Sequence, residues 1–263
     1  MNTKKISVIL MAVAFFIVAI VSGIDVLTIR DVNVTYALSE QTDANAIQSA
    51  LDQTIGKNWL FLSEEEVKDT LKGNHYLEVL SVDKQFPNVI NVQIKERREV
   101  YYTEYDGQTY VTDENGFVLK QGLPSGRQRE KIQLFLGDGI LLTKVNPGEY
   151  IKTDNDKLLS LVFEIAMSVN LTDCIESIYI ERALGYEDEY DVVFKAYTGV
   201  ELRILKVLQS GQEKATNAFK AYDEKLTDYQ KFSGEILSLL TDDGKFMVNY
   251  NGVNVMTIEK QEG

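Results

Sequence analysis

A run of nineteen residues without a charge, ISVILMAVAFFIVAIVSGI from Ile6 to Ile24, constrains this chain more than any other feature. At about 1.5 Å rise per residue, a helix over this run spans roughly 28 Å, close to the hydrocarbon thickness of a bilayer. It exceeds the apolar core of about 7–15 residues expected in a cleavable signal peptide, although Ser22-Gly23 is a small-residue pair near its end. Lys4 and Lys5 precede it, while Asp25 and Arg30-Asp31 follow. The positive-inside rule then puts residues 1–5 in the cytoplasm, residues 6–24 across the membrane and the rest outside. No other segment approaches membrane length, so a single-pass anchor is expected.

The chain carries 27 Lys and Arg against 40 Asp and Glu. With Lys4 and Lys5 on the cytoplasmic side, the outer part is strongly acidic. That opposes nonspecific binding to nucleic acid and to anionic membranes. Cys174 is the only cysteine, so no internal disulfide can form and the outer part must hold itself together by its core. Cys174 itself begins an apolar stretch and reads as a small hydrophobe.

Residues 29–36 alternate in polarity with period two, as a half-buried strand does. Asp43 caps a helix that presents Ala46, Ile47, Ala50 and Leu51 on one face. Ser63 and Glu66 have the spacing of a capping box for a second helix ending near Gly73. Strands follow over 77–86 and 89–95, where Ile90, Val92 and Ile94 alternate with Asn91, Gln93 and Lys95. The charged run Glu96-Arg97-Arg98-Glu99 comes next. This order of strand, helix, helix, strand, strand predicts a compact α+β unit with the helices on one face of a three-stranded sheet.

Beyond Val100 the pattern becomes mostly β. Asp106-Gly107 and Glu114-Asn115-Gly116 punctuate a meander from Tyr101 to Lys120, because glycine tolerates positive φ. A strand is expected over 132–136, and then an amphipathic helix opening at Thr153 or Asp154. Strands over 175–180, 190–197 and 200–207 follow. Ser210 with Glu213 predicts a second capping box and another helix. The chain closes on strands over 236–240, 245–250 and 253–258.

Little in the sequence points to catalysis. The single histidine, His75, lies in a polar turn and reads as surface. Ser81-Val82-Asp83-Lys84 has the Ser-x-x-Lys spacing of penicillin-binding enzymes, but on a strand the serine and lysine face opposite sides. The acidic runs Glu64 to Glu66, Glu187 to Glu189 and Asp242-Asp243 fall in caps and turns, where solvated surface is the ordinary reading. No phosphate-binding glycine loop is present. Tyr101, Tyr102, Tyr105 and Tyr110 cluster where the β region begins, a composition that suits half-exposed strands as well as interfaces. No catalytic residue, metal ligand or cofactor is expected.

The pattern Phe86-Pro87-x-x-Ile90-x-Val92-x-Ile94-x-Glu96-Arg97 is followed by a tyrosine-rich strand and Tyr110-Val111-x-Asp113-x-x-Gly116-x-Val118-Leu119. Together these closely resemble the bacterial cell-division family FtsQ/DivIB. Gly56-Lys57-Asn58 ahead of Trp59-Leu60-Phe61, the hairpin Thr198-Gly199-Val200 through Leu205, and the helix from Glu213 to Tyr229 are similar to elements of the same family. The resemblance implies a cytoplasmic tail (1–5), a transmembrane helix (6–24), a POTRA domain (25–97) and an FtsQ-type, mostly antiparallel β domain with two helices (98–263). It further implies a non-enzymatic scaffold at the division septum that coordinates septal wall synthesis. Its partners would be FtsB/DivIC-like and FtsL-like coiled-coil membrane proteins. Docking would add a strand to the last strand of the β domain, with Tyr250, Val253, Val255 and Met256 as contacts. The rival readings are a POTRA-bearing adaptor of another envelope or export system, and an anchored hydrolase using a carboxylate pair.

The charged run after Ile94 reads, on this division, as a joint. Glu96 with Arg97 or Arg98 is expected to fix the angle between domains, since a half-buried carboxylate needs a partner.

Overall fold

A computed structural model describes residues 13, 26–37, 43–126, 130–155, 157–169 and 174–260. Apart from Val13, the expected membrane span over 6–24 lies outside the described residues, as does the tail over 1–5. Among the described residues no helix is long and apolar enough to cross a membrane. The chain divides into two compact units between Arg97 and Arg98. Both mix helix and strand, so the fold class is α+β.

The first unit follows from its alternating apolar residues. β1 (Asp31–Ala37) lies parallel to β3 (Val89–Glu96), and β2 (Leu77–Gln85) lies antiparallel on the other side of β3. Central β3 carries Ile90, Val92 and Ile94 on one face, each 1% exposed or less. Over that face pack α1 (Ala44–Leu51) through Ile47 and Leu51, and α2 (Glu64–Asp69) through Val67. Asp43 caps α1 by accepting from the N–H groups of Asn45 and Ala46. Ser63 and Glu66 form the reciprocal box: Ser63 Oγ accepts from Glu66 N at 3.1 Å, and the Glu66 carboxylate accepts from Ser63 N at 2.9 Å. Those bonds hold the Glu66 carboxyl below its usual range.

The second unit is built on one ten-stranded sheet. Its strands are β4 (Tyr101–Tyr105), β5 (Gln108–Thr112), β6 (Val118–Gln121), β7 (Ile132–Leu136), β10 (Ile175–Arg182), β11 (Tyr190–Ala196), β12 (Glu201–Ile204), β13 (Glu235–Leu240), β14 (Lys245–Tyr250) and β15 (Val253–Glu259). In space they run β15-β14-β13-β12-β11-β10-β7-β4-β5-β6. The pairs β4–β7, β7–β10 and β12–β13 are parallel and the others antiparallel. A small antiparallel pair, β8 (Leu142–Lys144) with β9 (Lys152–Thr153), sits apart.

Parallel neighbours need crossover connections, and two of the three carry a helix. α3 (Leu158–Ser168) lies between β7 and β10, and α4 (Gly211–Glu224) between β12 and β13. Both crossovers join strands of the same direction and advance the same way through the sheet. The shared right-handedness of such connections therefore puts both helices on one face. There Leu158, Val162, Ile165, Ala215 and Ala218 join Ile178, Phe194, Leu202 and Ile236 in one core.

Two expected helix starts are corrected. Helix α3 begins at Leu158, not at Thr153 or Asp154. Thr153 is held in β9 opposite Leu142, and Asp154 faces Arg182 at 3.3 Å. Ser210 forms no capping box with Glu213. It adopts a left-handed conformation with φ 51° and makes no side-chain cap. Gly211 follows it, where an added Cβ would come within 2.8 Å of Val207.

Candidate functional site

The residues weighed for catalysis are engaged separately. Ser81 Oγ donates to Asp83 at 3.1 Å, while Lys84 Nζ donates to the carbonyl of Trp59 at 3.1 Å, so this serine and lysine do not meet. The carbonyl of Glu187 accepts from Arg182, the Glu189 carboxylate accepts from Gln209, and Asp243 accepts from Thr241 and pairs with Lys245 at 3.2 Å. Among the described residues no cluster of His, Cys, Asp and Glu could hold a metal ion. Tyr101 is buried against Phe163 at 4.9 Å between ring centres, and burial raises its hydroxyl pKa. It is a core residue of the unit.

The remaining site is an edge. β15 ends the ten-stranded sheet and, among the described residues, pairs on one side only, with β14. Asn251 and Gly252 join the two strands with φ of 48° and 80°, the two positive angles of a type I′ turn. In a two-residue hairpin the closing residues, Tyr250 and Val253, exchange hydrogen bonds. The next residue, Asn254, therefore turns its backbone polar groups to the open side. Asn249 then faces Asn254 and Val248 faces Met256, leaving Val255 as the extra residue of a β-bulge. Beyond the bulge the alternation turns Thr257 and Glu259 outward. The backbone of Asn254, Thr257 and Glu259 is what this edge offers to another strand.

The four side chains expected to make contact occupy different surroundings. Val253 is 66% exposed at the hairpin tip. Val255 and Met256 are half-buried against the core from within the bulge. Tyr250 turns inward, its hydroxyl 3.0 Å from the carbonyl oxygen of Gln230 and 2.9 Å from that of Ser233. Tyr250 and Val253 sit opposite each other, whereas Val255 and Met256 face Val248.

At the boundary between the units, Glu96 ends β3 opposite Leu77. Arg97 N donates to the carbonyl of Tyr76 at 2.7 Å, and its guanidinium pairs with Glu78 at 3.5 Å. The buried Glu99 belongs to the second unit, where it pairs with Lys120 at 2.7 Å and accepts from Ser125. Arg98 is exposed.

A concavity on the second unit was not legible in the sequence. A groove of about 570 Å³ on the second unit is lined by Tyr102, Gln133, Phe135, Tyr179, Lys195 and Tyr197 among others. Phe135 and Tyr179 stack across neighbouring strands with centroids 4.4 Å apart. These residues come from four strands and the end of one, and only the strand order brings them together.

The chain is similar to known proteins over part of its length. The family model for the POTRA domain, FtsQ-type, matches residues 27–97. Over 94 residues, 36% of the chain and 34% of the relative, it is 33% identical to the cell division protein DivIB of Clostridium tetani. Over 91 residues, 35% of the chain and 34% of the relative, it is 22% identical to the cell division protein FtsQ of Rickettsia bellii. The chain thus covers about a third of the length of these curated relatives. The solved major extracytoplasmic domain of DivIB from Geobacillus stearothermophilus aligns with 50% of the chain and 98% of that domain, at 15% identity and a TM-score of 0.30.

Proposed function

The chain belongs to the FtsQ/DivIB family, and on that premise we propose that it is a non-enzymatic scaffold of cell division. It is held to the membrane by residues 6–24 with its bulk outside the cytoplasm. It docks a coiled-coil membrane protein of the FtsB/DivIC kind, with an FtsL-like protein in the same assembly, and so helps coordinate wall synthesis at the septum. The observation that carries this reading is the one-sided pairing of β15, among the described residues, at the end of the ten-stranded sheet. A strand added there gains main-chain hydrogen bonds for affinity and side-chain alternation for specificity. The bulge at Val255 limits unspecific edge pairing by twisting the free edge. Val253 gives the incoming strand an exposed apolar contact, with Val255 and Met256 behind it.

The test is co-purification of the full chain with its DivIC/FtsB-like partner. Thr257→Pro removes an outward N–H without touching the hairpin ladder. It should weaken binding at least about tenfold, the equivalent of about 1.4 kcal/mol, with the circular dichroism unchanged. Undiminished binding by the folded variant would remove the edge as the docking site.

A further inference from the structure

The first unit keeps an apolar corner at the end where the chain enters it. Leu60 is 58% exposed, Phe61 80% and Phe86 70%, and Trp59 meets Phe86 edge-on at 5.8 Å. Scattered apolar residues on a surface are ordinary, but a group rimmed by polar residues marks a contact. Backbone pairing fixes where this group lies. Trp59 N donates to the carbonyl of Leu27 at 2.7 Å, Ile29 N to that of Lys57 at 2.9 Å, and Arg30 N to that of Asn88 at 3.0 Å. Thr28 bridges to Asn58. With β1 and β3 parallel and Asp31 opposite Val89, residues 27–30, the turn over 57–61 and the turn over 86–88 gather at one end. The uncharged run stops at Ile24, three residues before Leu27. Three residues reach at most about 11 Å.

We infer that Leu60 and Phe61, backed by Trp59 and Phe86, insert into the lipid interface as a second, shallow contact between this chain and the bilayer. This rests on the reading of residues 6–24 as a membrane span. If the span is seated in the hydrocarbon, the turn carrying Leu60 and Phe61 lies within reach of the headgroup layer. There tryptophan finds an environment with one wet and one apolar side, and Leu60 and Phe61 find the acyl boundary. Lys57 is exposed beside them, and Lys84 Nζ lies 5.6 Å from the centre of the Trp59 ring. Both suit anionic headgroups at that depth, each lysine keeping its ammonium in the polar layer. The rigid POTRA unit would then be held by two points, which restricts its tilt over the membrane.

Trp59 is the only tryptophan of the chain, so its fluorescence reports this corner alone. The full chain is reconstituted into vesicles of phosphatidylethanolamine and phosphatidylglycerol containing phosphatidylcholine brominated near the top of its acyl chains. Trp59 emission should fall at least about twofold against unbrominated vesicles, as expected for an indole at the interface. The Leu60→Ser/Phe61→Ser double variant changes only exposed side chains and should lose most of that quenching with its circular dichroism intact. Alkaline carbonate extraction is run in parallel. If the chain is extracted, the span reading fails and takes the inference with it. Retention in the membrane with Trp59 unquenched overturns the inference alone and leaves the corner to a protein partner. Quenching undiminished in the double variant also overturns it, since the span alone would then account for the proximity.

Discussion

Tyr250 holds Ser233: its hydroxyl lies 2.9 Å from the Ser233 carbonyl oxygen, and 3.0 Å from that of Gln230. A residue of β14 thereby fastens the segment that leads into β13. Tyr250→Phe keeps the ring and its packing but removes the shared hydrogen bond, which costs about 0.5–1.5 kcal/mol. Urea unfolding followed by near-ultraviolet circular dichroism should show that loss. Partner affinity, if it depends on the backbone of β15, should change by less than about twofold, well under 1.4 kcal/mol. A tenfold loss of binding at unchanged stability would instead make the hydroxyl a direct contact.

Lys214 gives the second unit a pH dependence above neutrality. The residue is 1% exposed on α4, and its ammonium donates to the carbonyls of Leu205 and, at 2.7 Å, of Lys206. Burial pushes its pKa down to about 8. Below that value the lysine is charged in both folded and unfolded chains, and the folded state bears the cost of a buried charge. Between about 8 and the unfolded value near 10.4, the native protein releases the proton first. The unfolded chain then binds more protons, and stability rises with pH by up to about 1.4 kcal/mol per unit. Urea midpoints measured from pH 7 to 10.5 should increase for the native chain. Lys214→Met should flatten that increase.

Asp113 and Gly116, both in the motif that carries the family resemblance, act as structure. Asp113 is fully buried, and its Oδ1 accepts from Asn115 N at 2.9 Å and Phe117 N at 2.8 Å. Gly116 has φ 78°, and a Cβ there would lie 2.3 Å from the Phe163 ring. Asp113→Ala removes a charged acceptor from the N–H groups of Asn115 and Phe117 and should cost about 1–3 kcal/mol. Gly116→Ala adds left-handed strain of about 1–2 kcal/mol to a steric conflict in the core, and should be at least as damaging. Both effects belong in the unfolding of the second unit. Neither variant should shift the Trp59-monitored transition of the first.

The first unit was legible because its information is local. Ile90, Val92 and Ile94 declare a strand face by alternation, and Ser63 with Glu66 declares a helix start within four residues. The second unit resisted wherever the outcome depends on which strands become neighbours. That β15 has an open side follows from its place in a ten-strand order, and no stretch of sequence encodes that order by itself. The groove around Phe135 and Tyr179 was hidden for the same reason. The β8–β9 pair is too short to show a period. In β15, alternation alone gives Val255 one face and Met256 the other, and only the bulge opposite Val248 brings them together.

Ser63 and Ser210 carry the same Ser-x-x-Glu pattern with different outcomes, and two substitutions separate them. Ser63 is extended at φ −86° and its hydroxyl accepts from Glu66 N, whereas Ser210 is left-handed at φ 51° and caps nothing. Ser63→Ala removes a working cap and should cost about 0.5–2 kcal/mol. Trp59 emission during urea unfolding reads this, since Trp59 and Val67 share the first unit's core. Ser210→Ala leaves the strain in place and has no cap to remove, so it should be near neutral. Ser210→Gly relieves a left-handed conformation that costs a residue with a Cβ about 1–2 kcal/mol, offset in part by the extra freedom of glycine in the unfolded chain. It should therefore raise the stability of the second unit. A loss of about 1 kcal/mol or more in Ser210→Ala, of the size a cap supplies, would show that the serine caps α4 after all.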